Sequence, residues 1–282
     1  MPLRTSDVRR RFDHAARNFD DFDFVHAVTR DGLFARLEPM TVAAKVVVDL
    51  GCATGGASRM LAKRFRRSHI INVDHSPAML RLAAAKKPWF TKGSYVEADA
   101  AALPLDDQSA DVVFCNQLLP WIDDVPAVFA EVSRILRKDG LFLFASLGPD
   151  SFAELRLAWQ TVDDEPHVRH FADMHNIGDA AVRAGLGDPV LDVDRLKVSY
   201  ADSASLFRDL TGVAARNCLD DRRRSLTGKA RINALRQALQ PAGSDAGIEL
   251  DLELVYGHCW GSGKHRGTDG FRIGLNEITH RK

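Results

Sequence analysis

The sequence has no excess charge of either sign: 38 lysines and arginines stand against 38 aspartates and glutamates. The long-range field that draws a protein onto DNA or RNA is therefore missing, and no nucleic-acid partner is expected. Cysteine is scarce. Cys52, Cys115, Cys218 and Cys259 lie far apart with no Cys-x-x-Cys pair, which argues against a zinc site or a disulfide framework and for a reducing compartment. No metal is expected. Residues 1–12 lack the apolar stretch of a secretory signal, and no apolar run reaches membrane-spanning length. The expectation is a cytoplasmic protein with no membrane partner. Internal repeats and low-complexity tracts are also missing.

What is present is organised around Val46-Val47-Val48-Asp49-Leu50-Gly51-Cys52-Ala53-Thr54-Gly55-Gly56. Three consecutive β-branched residues favour a buried strand. Gly51, Gly55 and Gly56 then let the chain turn sharply and let a ligand approach the backbone. Met60, Leu61 and Phe65 follow at helical spacing over residues 57–67. Strand, glycine turn and helix together open a nucleotide-binding α/β sheet. A second short strand, residues 69–74, ends in Asp74, at the spacing of about 20 residues where a carboxylate meets the ribose hydroxyls of an adenosine cofactor. Asp74 could equally cap the helix that starts at Ser76-Pro77.

The alternation continues. Residues 78–85 read as helix, 93–99 as a third strand ending in Asp99, 110–116 as a fourth ending in Asn116, 125–136 as helix and 141–145 as a fifth strand. Right-handed crossovers would place Asp49, Asp74, Asp99 and Asn116 on one rim. Before the core, Val8, Phe12, Ala15, Ala16 and Phe19 fall on one face of a helix that could cover the cofactor pocket with Phe19 near its mouth, and residues 25–37 form a second helix. After it, residues 190–198 and 248–256 alternate apolar and charged residues like half-buried antiparallel edge strands, with a basic helical run over 203–239 between them. The expected fold is α/β: a doubly wound, mostly parallel, seven-stranded Rossmann-like sheet with helical lid insertions. A single domain should span 1–260, with a helical cover at 6–40, a cofactor-binding core at 41–147, a lid and C-terminal strands at 148–260, and a mobile basic tail at 261–282.

Over residues 45–147 the rim pattern resembles the class I S-adenosylmethionine-dependent methyltransferases. The strand, turn and acid logic is shared with nicotinamide dehydrogenases. However, Asp49 before the first glycine, the further strand ends at Asp99 and Asn116, and the stretches Leu103-Pro104-Leu105-Asp106-Asp107 and Arg134-Ile135-Leu136-Arg137-Lys138-Asp139-Gly140 are what methyltransferases show at these places. The resemblance implies that the turn from Asp49 through Gly51 and Ala53 to Gly55 faces the methionine part of the cofactor. It further implies that Asp74 binds the ribose, that Asp99 with Ala100 reads the adenine amino group, and that Met79 packs on the ring. Ala53 stands where the family often has glycine, which a methyl group permits if φ stays negative there.

Beyond the core, Phe12-x-x-Ala15-Ala16-x-x-Phe19, Asn116-Gln117-Leu118-Leu119-Pro120-Trp121, Leu147-Gly148-Pro149-Asp150-Ser151-Phe152, Phe171-x-Asp173-Met174-His175 and Asp209-Leu210-Thr211-Gly212 together resemble the malonyl-acyl-carrier-protein O-methyltransferases of biotin synthesis. That implies methylation of the free carboxylate of a malonyl thioester on acyl carrier protein, or on coenzyme A, with S-adenosylmethionine as cofactor. An ionised carboxylate needs no general base, so the expected acceptor groups are a wall and anion holders: Trp121, Arg156, His167 and Arg169, with His170 beside them. Phe19 replaces a common aromatic hydroxyl, and Pro120 a common glutamine. Arg222, Arg223, Arg224 and Arg231 are expected to steer the acidic carrier. A mitochondrial assembly factor with similar motifs, thought to hydroxylate a protein arginine, keeps a related hydroxylase open, as well as a module that binds the cofactor without turnover.

Overall fold

A computed structural model describes residues 2–225, 227–240 and 247–263. The described chain opens with helices α1 (Thr5–Ala15), α2 (Phe19–Phe22) and α3 (Phe24–Leu37), then alternates through β1 (Val46–Leu50), α4 (Gly56–Arg64), β2 (His69–Asp74), α5 (Pro77–Ala85), β3 (Lys92–Glu97) and β4 (Ala110–Asn116). It continues through α6 (Val125–Ile135), β5 (Leu136–Leu147), α7 (Ala153–Gln160), α8 (Met174–Arg183), β6 (Leu186–Tyr200), α9 (Ser203–Gly212), α10 (Lys229–Leu239) and β7 (Ile248–Gly261). The strands form one sheet in the order β3-β2-β1-β4-β5-β7-β6, parallel except that β7 runs antiparallel to both its neighbours. The expected seven-stranded doubly wound sheet is present. Between β1 and β4 the strand order reverses direction, and such a switch point opens a crevice at the carboxyl ends of the strands.

Alternation along the strands builds both cores. Val48, Val113, Phe142 and Phe144 face one side, against Phe129 and Val132 of α6 and Ile177 of α8. Val47, Val112, Phe114, Leu141 and Leu143 face the other, against Leu33 and Leu37 of α3 and Leu61 of α4. Because both faces are covered, the central strands read as continuous apolar runs.

The structure departs from the expected elements in several places. The N-terminal helix stops at Ala15, and Phe19 starts a separate short helix, although Ala16 and Phe19 still pack together around Met79. β7 is interior, between β5 and β6, so of the two C-terminal strands expected at an edge β6 alone is one; β3 forms the opposite edge. The basic run 203–239 is two helices separated by residues 213–228, where Ala214 takes φ +63°. Gly261 still pairs with Leu186, and Ser262 Oγ donates to the Gly185 carbonyl at 2.6 Å, so these residues belong to the sheet margin. The rest of the expected tail, 264–282, lies outside the described residues. All four cysteines are buried free thiols. Among the described residues no helix is long and apolar enough to cross a membrane.

Candidate active site

The crevice at the switch point holds a cavity of about 250 Å³. Its floor is the glycine turn. The Gly51 N–H donates to the Val73 carbonyl at 2.8 Å and takes φ +76°, where a Cβ would press on Leu118 at 3.0 Å. Ala53 also lies in the left-handed region, at φ +45°. The negative φ expected there is not adopted, because turning its N–H onto Asp74 Oδ2 at 2.9 Å fixes the backbone. The other Asp74 oxygen accepts from the Ser76 N–H at 2.8 Å. Ser76 itself caps α5, its hydroxyl accepting from the Met79 N–H at 3.2 Å. Phe19, Gly51, Ala53, Asp74, Asp99, Ala100, Asn116 and Trp121 all line this cavity. Burial raises the Asp74 carboxyl above its ordinary pKa, against the two backbone donors that lower it.

A second cavity, of about 170 Å³, adjoins the first. Leu3, His26, Gln117 and Trp121 form walls of both. This junction concentrates polar atoms without partners: His26 Nδ1, Gln117 Nε2 and Asn116 Oδ1 are buried and unbonded. Buried polar groups are normally satisfied, so this cluster has hydrogen-bonding capacity to offer a ligand. Gln117 sits at φ +58°, a conformation that costs a non-glycine residue roughly 1–3 kcal/mol and is retained chiefly at functional sites. Burial, then the Arg30 charge, pushes the His26 pKa down to about 4, so its imidazole is neutral near pH 7. Phe12 meets Trp121 edge-on at 5.2 Å, and Phe19 meets His26 at 5.1 Å.

A methyltransferase domain family matches residues 48–144. The malonyl-[acyl-carrier protein] O-methyltransferase of Halorhodospira halophila is 38% identical to this chain, covering 91% of it and 88% of the relative. The enzyme of the same name from Methylovorus is 36% identical over 90% of this chain and 88% of its own. The chain belongs to the malonyl-[acyl-carrier protein] O-methyltransferase family. The YcgJ protein of Bacillus subtilis shares the fold, with a TM-score of 0.60 at 18% identity over 83% of this chain and 98% of that one.

In this family member the expected site residues divide into two groups. Asp49, Gly55 and Met79 stand behind the cavity wall. Gly55, at φ +79°, lets α4 approach α5, since a Cβ would meet Ala83 at 3.2 Å, and Met79 is wholly buried against Ala16 and Phe19. Of the expected acceptor residues, Trp121, His167 and Arg169 line the second cavity, but Arg156 and His170 face a separate outer pocket beside Asp163. Arg156 Nη2 instead braces the segment, donating to the Ser151 carbonyl at 3.2 Å. Arg169 is similarly occupied, donating to the carbonyls of Pro120 (3.2 Å) and Ile122 (2.5 Å) and pairing with Asp123 at 3.1 Å. His167 bonds Asp163 at 2.6 Å and stacks on Trp159 at 3.6 Å. Gln117 and His26 were not singled out as site residues. Gln117 follows the strand-end Asn116 directly, a position that could have flagged it, whereas His26 lies inside a helix with no sequence signal.

The arginines expected to meet a carrier are answered within the chain. Arg222 pairs with the buried Asp7, Arg224 with Asp220 at 3.4 Å, and Arg231 with Asp163 at 3.4 Å, while Arg223 Nε donates to Ser225 Oγ.

Behind the glycine turn, Asp49 is 1% exposed. Ser58 Oγ lies in hydrogen-bond contact with both Asp49 Oδ2 and Asn72 Oδ1. The Asn72 amide is oriented by its Nδ2, which donates to the Ser94 carbonyl at 3.0 Å, so its oxygen must accept. One hydroxyl carries one proton and cannot serve two acceptors. A protonated Asp49 that donates to Ser58, which donates onward to Asn72, satisfies all three. Burial foremost, and further the Asp74 charge, push the Asp49 pKa up to about 7 against the opposing Ser58 hydrogen bond.

Proposed function

We propose that this chain methylates the free carboxylate of malonyl-acyl carrier protein, with S-adenosylmethionine as methyl donor, giving the malonyl methyl ester from which a pimeloyl precursor of biotin is built. The observation that carries this reading is the contact of two cavities through Trp121, Gln117 and His26, one shaped by a nucleotide-type turn and the other mostly apolar. The partnerless Asn116 Oδ1 on the first cavity's rim fits a ligand with donor groups. In this reading Asp74 holds the ribose hydroxyls, Asp99 and Ala100 take the adenine end, and Phe19 with Met79 behind it supplies an apolar wall. Residues 6–40 act as cover, 41–147 as the cofactor core and 148–260 as lid and closing strands.

When bound, the donor supplies an electrophilic methyl group on a sulfonium. The acceptor carboxylate titrates near ~4 and is already ionised at neutral pH, so the protein's task is alignment, which can supply roughly 7–11 kcal/mol of the barrier. The Gln117 amide N–H donates to one carboxylate oxygen and leaves the other free to attack. A neutral amide suits this role, because an arginine at the same place would hold the nucleophile's charge more tightly. Trp121 walls the passage, and neutral His26 adds polarity without a competing charge. Arg169 fixes the Pro120 to Asp123 loop that carries Trp121. Coenzyme A is the other thioester carrier the site could accept. Incubation with labelled S-adenosylmethionine and malonyl-acyl carrier protein, followed by mass analysis, should yield a methyl ester. Cofactor binding without ester formation would overturn the proposal.

A further inference from the structure

A third cavity, of about 690 Å³, adjoins the acceptor cavity and shares Phe22 and Arg216 with it. Arg10, Arg11, His14, Arg208 and Arg216 line it, and no carboxylate does. Some of this charge is compensated from outside, since Asp7 pairs with Arg10 at 2.8 Å and Asp202 feels Arg208. Arg11 and Arg216 are different, because neither forms an ion pair among the described residues. Arg11 Nη2 donates to the Asn217 carbonyl at 3.1 Å, and its Nε is buried with no partner. Arg216 Nη1 donates to Thr211 Oγ1 at 3.0 Å, and its guanidinium lies 5.9 Å from the Phe207 ring. Arg216 is exposed as a residue, yet loss of hydration at its guanidinium and the like charge of Arg11 pull its pKa down. Asp209, on the acceptor-cavity wall, pairs with neither.

Two like-charged forks lining one cavity, one with a buried unused donor, are stabilised by an anion that accepts from both, and phosphate oxygens are acceptors suited to guanidinium forks. The cavities also connect in series: the basic cavity meets the acceptor cavity at Arg216, and the acceptor cavity meets the cofactor cavity at Gln117 and Trp121. We propose that Arg11 and Arg216 seat the phosphate ester of the acceptor's pantetheine arm, so that the arm runs along the apolar acceptor wall and presents its thioester end at Gln117. This rests on the acceptor reading above and adds to it the group that positions the arm.

The test compares malonyl-pantetheine, malonyl-4′-phosphopantetheine, malonyl-coenzyme A and malonyl-acyl carrier protein as acceptors for the wild type, Arg11→Gln and Arg216→Gln, each checked for folding by thermal melting. In the wild type, the phosphate-bearing thioesters should show a KM lower than that of malonyl-pantetheine by roughly tenfold or more. In each variant that preference should shrink below about threefold, with the coenzyme A and carrier forms shifting together. Should Arg11→Gln fail to fold, Arg216→Gln, at the exposed rim, decides the question. A preference that persists in the variants overturns the assignment, as does a shift confined to the intact carrier, which would give these arginines to its protein surface. Turnover of all four acceptors with no phosphate preference sinks this assignment alone, whereas no methylation of any of them sinks the acceptor reading and this assignment together.

Discussion

Asp49 makes a pH-dependent prediction of definite sign. Its folded pKa, pushed up to about 7, lies above the ordinary carboxyl value, so the folded chain binds this proton more tightly than the unfolded chain. Its contribution to stability is therefore complete below pH ~4 and is lost as pH rises to about 7, by on the order of 4 kcal/mol at most. Asp49→Asn keeps a donor for Ser58 and should flatten that part of the stability curve, as measured by urea unfolding at several pH values. The proposed placement of the cofactor's methionine end over the glycine turn would bring a cationic sulfonium towards Asp49 and favour its ionised form, so affinity for S-adenosylmethionine should then tighten roughly three- to tenfold between pH 6 and 8. The neutral product should show less of this dependence, and Asp49→Asn should lose most of it in calorimetric titrations. Ala53 supplies a second test. At φ +45° a β-branched side chain is a genuine outlier, so Ala53→Val should cost roughly 1–3 kcal/mol and crowd the cofactor cavity, raising the cofactor's Kd. Ala53→Gly should bind normally. The acid at the end of β2 was legible because its sequence spacing is itself geometric. The positive φ at Ala53 was not, because the Asp74 carboxylate that imposes it lies 21 residues away.

Secondary elements were legible wherever a period dominated. Alternate faces of β1, β4 and β5 are buried against different helices, and that regularity is written directly in the apolar runs. β7 misled because Glu249, Asp251 and Glu253 look like the wet side of an edge strand. Glu253 is in fact 9% exposed and accepts the Asp150 N–H at 3.0 Å, tying the turn after β5 to the sheet. Its interior place explains Gly257: a Cβ there would collide with the Phe144 ring on β5. Gly257→Ala should therefore destabilise by about 1–3 kcal/mol. Gly187→Ala, on edge strand β6, would bring a Cβ no closer than 3.6 Å to the Trp260 carbonyl, so it should be neutral or stabilise by about 0.4–1 kcal/mol through the unfolded chain. Equal effects of the two substitutions on denaturant midpoints would contradict the burial argument.

At the scale of the whole molecule, the N-terminal segment acts as a strap that joins the cofactor core to the distal segment around residue 219. On the core side, Asp13 accepts from Ser76 Oγ at 2.6 Å, Arg9 pairs with Glu97 at 2.5 Å, and the Leu3 N–H donates to Asp123 at 2.8 Å. On the distal side, Leu3 bridges Leu219, the Arg4 N–H donates to the Cys218 carbonyl at 2.8 Å, and Asp7 pairs with Arg222 across 215 residues of sequence. Contacts of that range leave no local sequence signal, which is why the sequence alone assigns Arg222 to steering a carrier and not to Asp7. Val8, Phe12 and Phe19 of the same strap line the first cavity, so the proposed cover predicts that a ligand there exchanges only when α1 lifts. Asp7→Ala strands Arg222, whose side chain is only 14% exposed, and should cost about 3 kcal/mol while speeding cofactor dissociation. Hydrogen exchange measured with and without S-adenosylmethionine should then show added protection across residues 3–15 in the wild type and much less in the variant. Protection confined to the ends of β1, β2 and β4, with α1 unchanged, would mean that the strap does not gate the cavity.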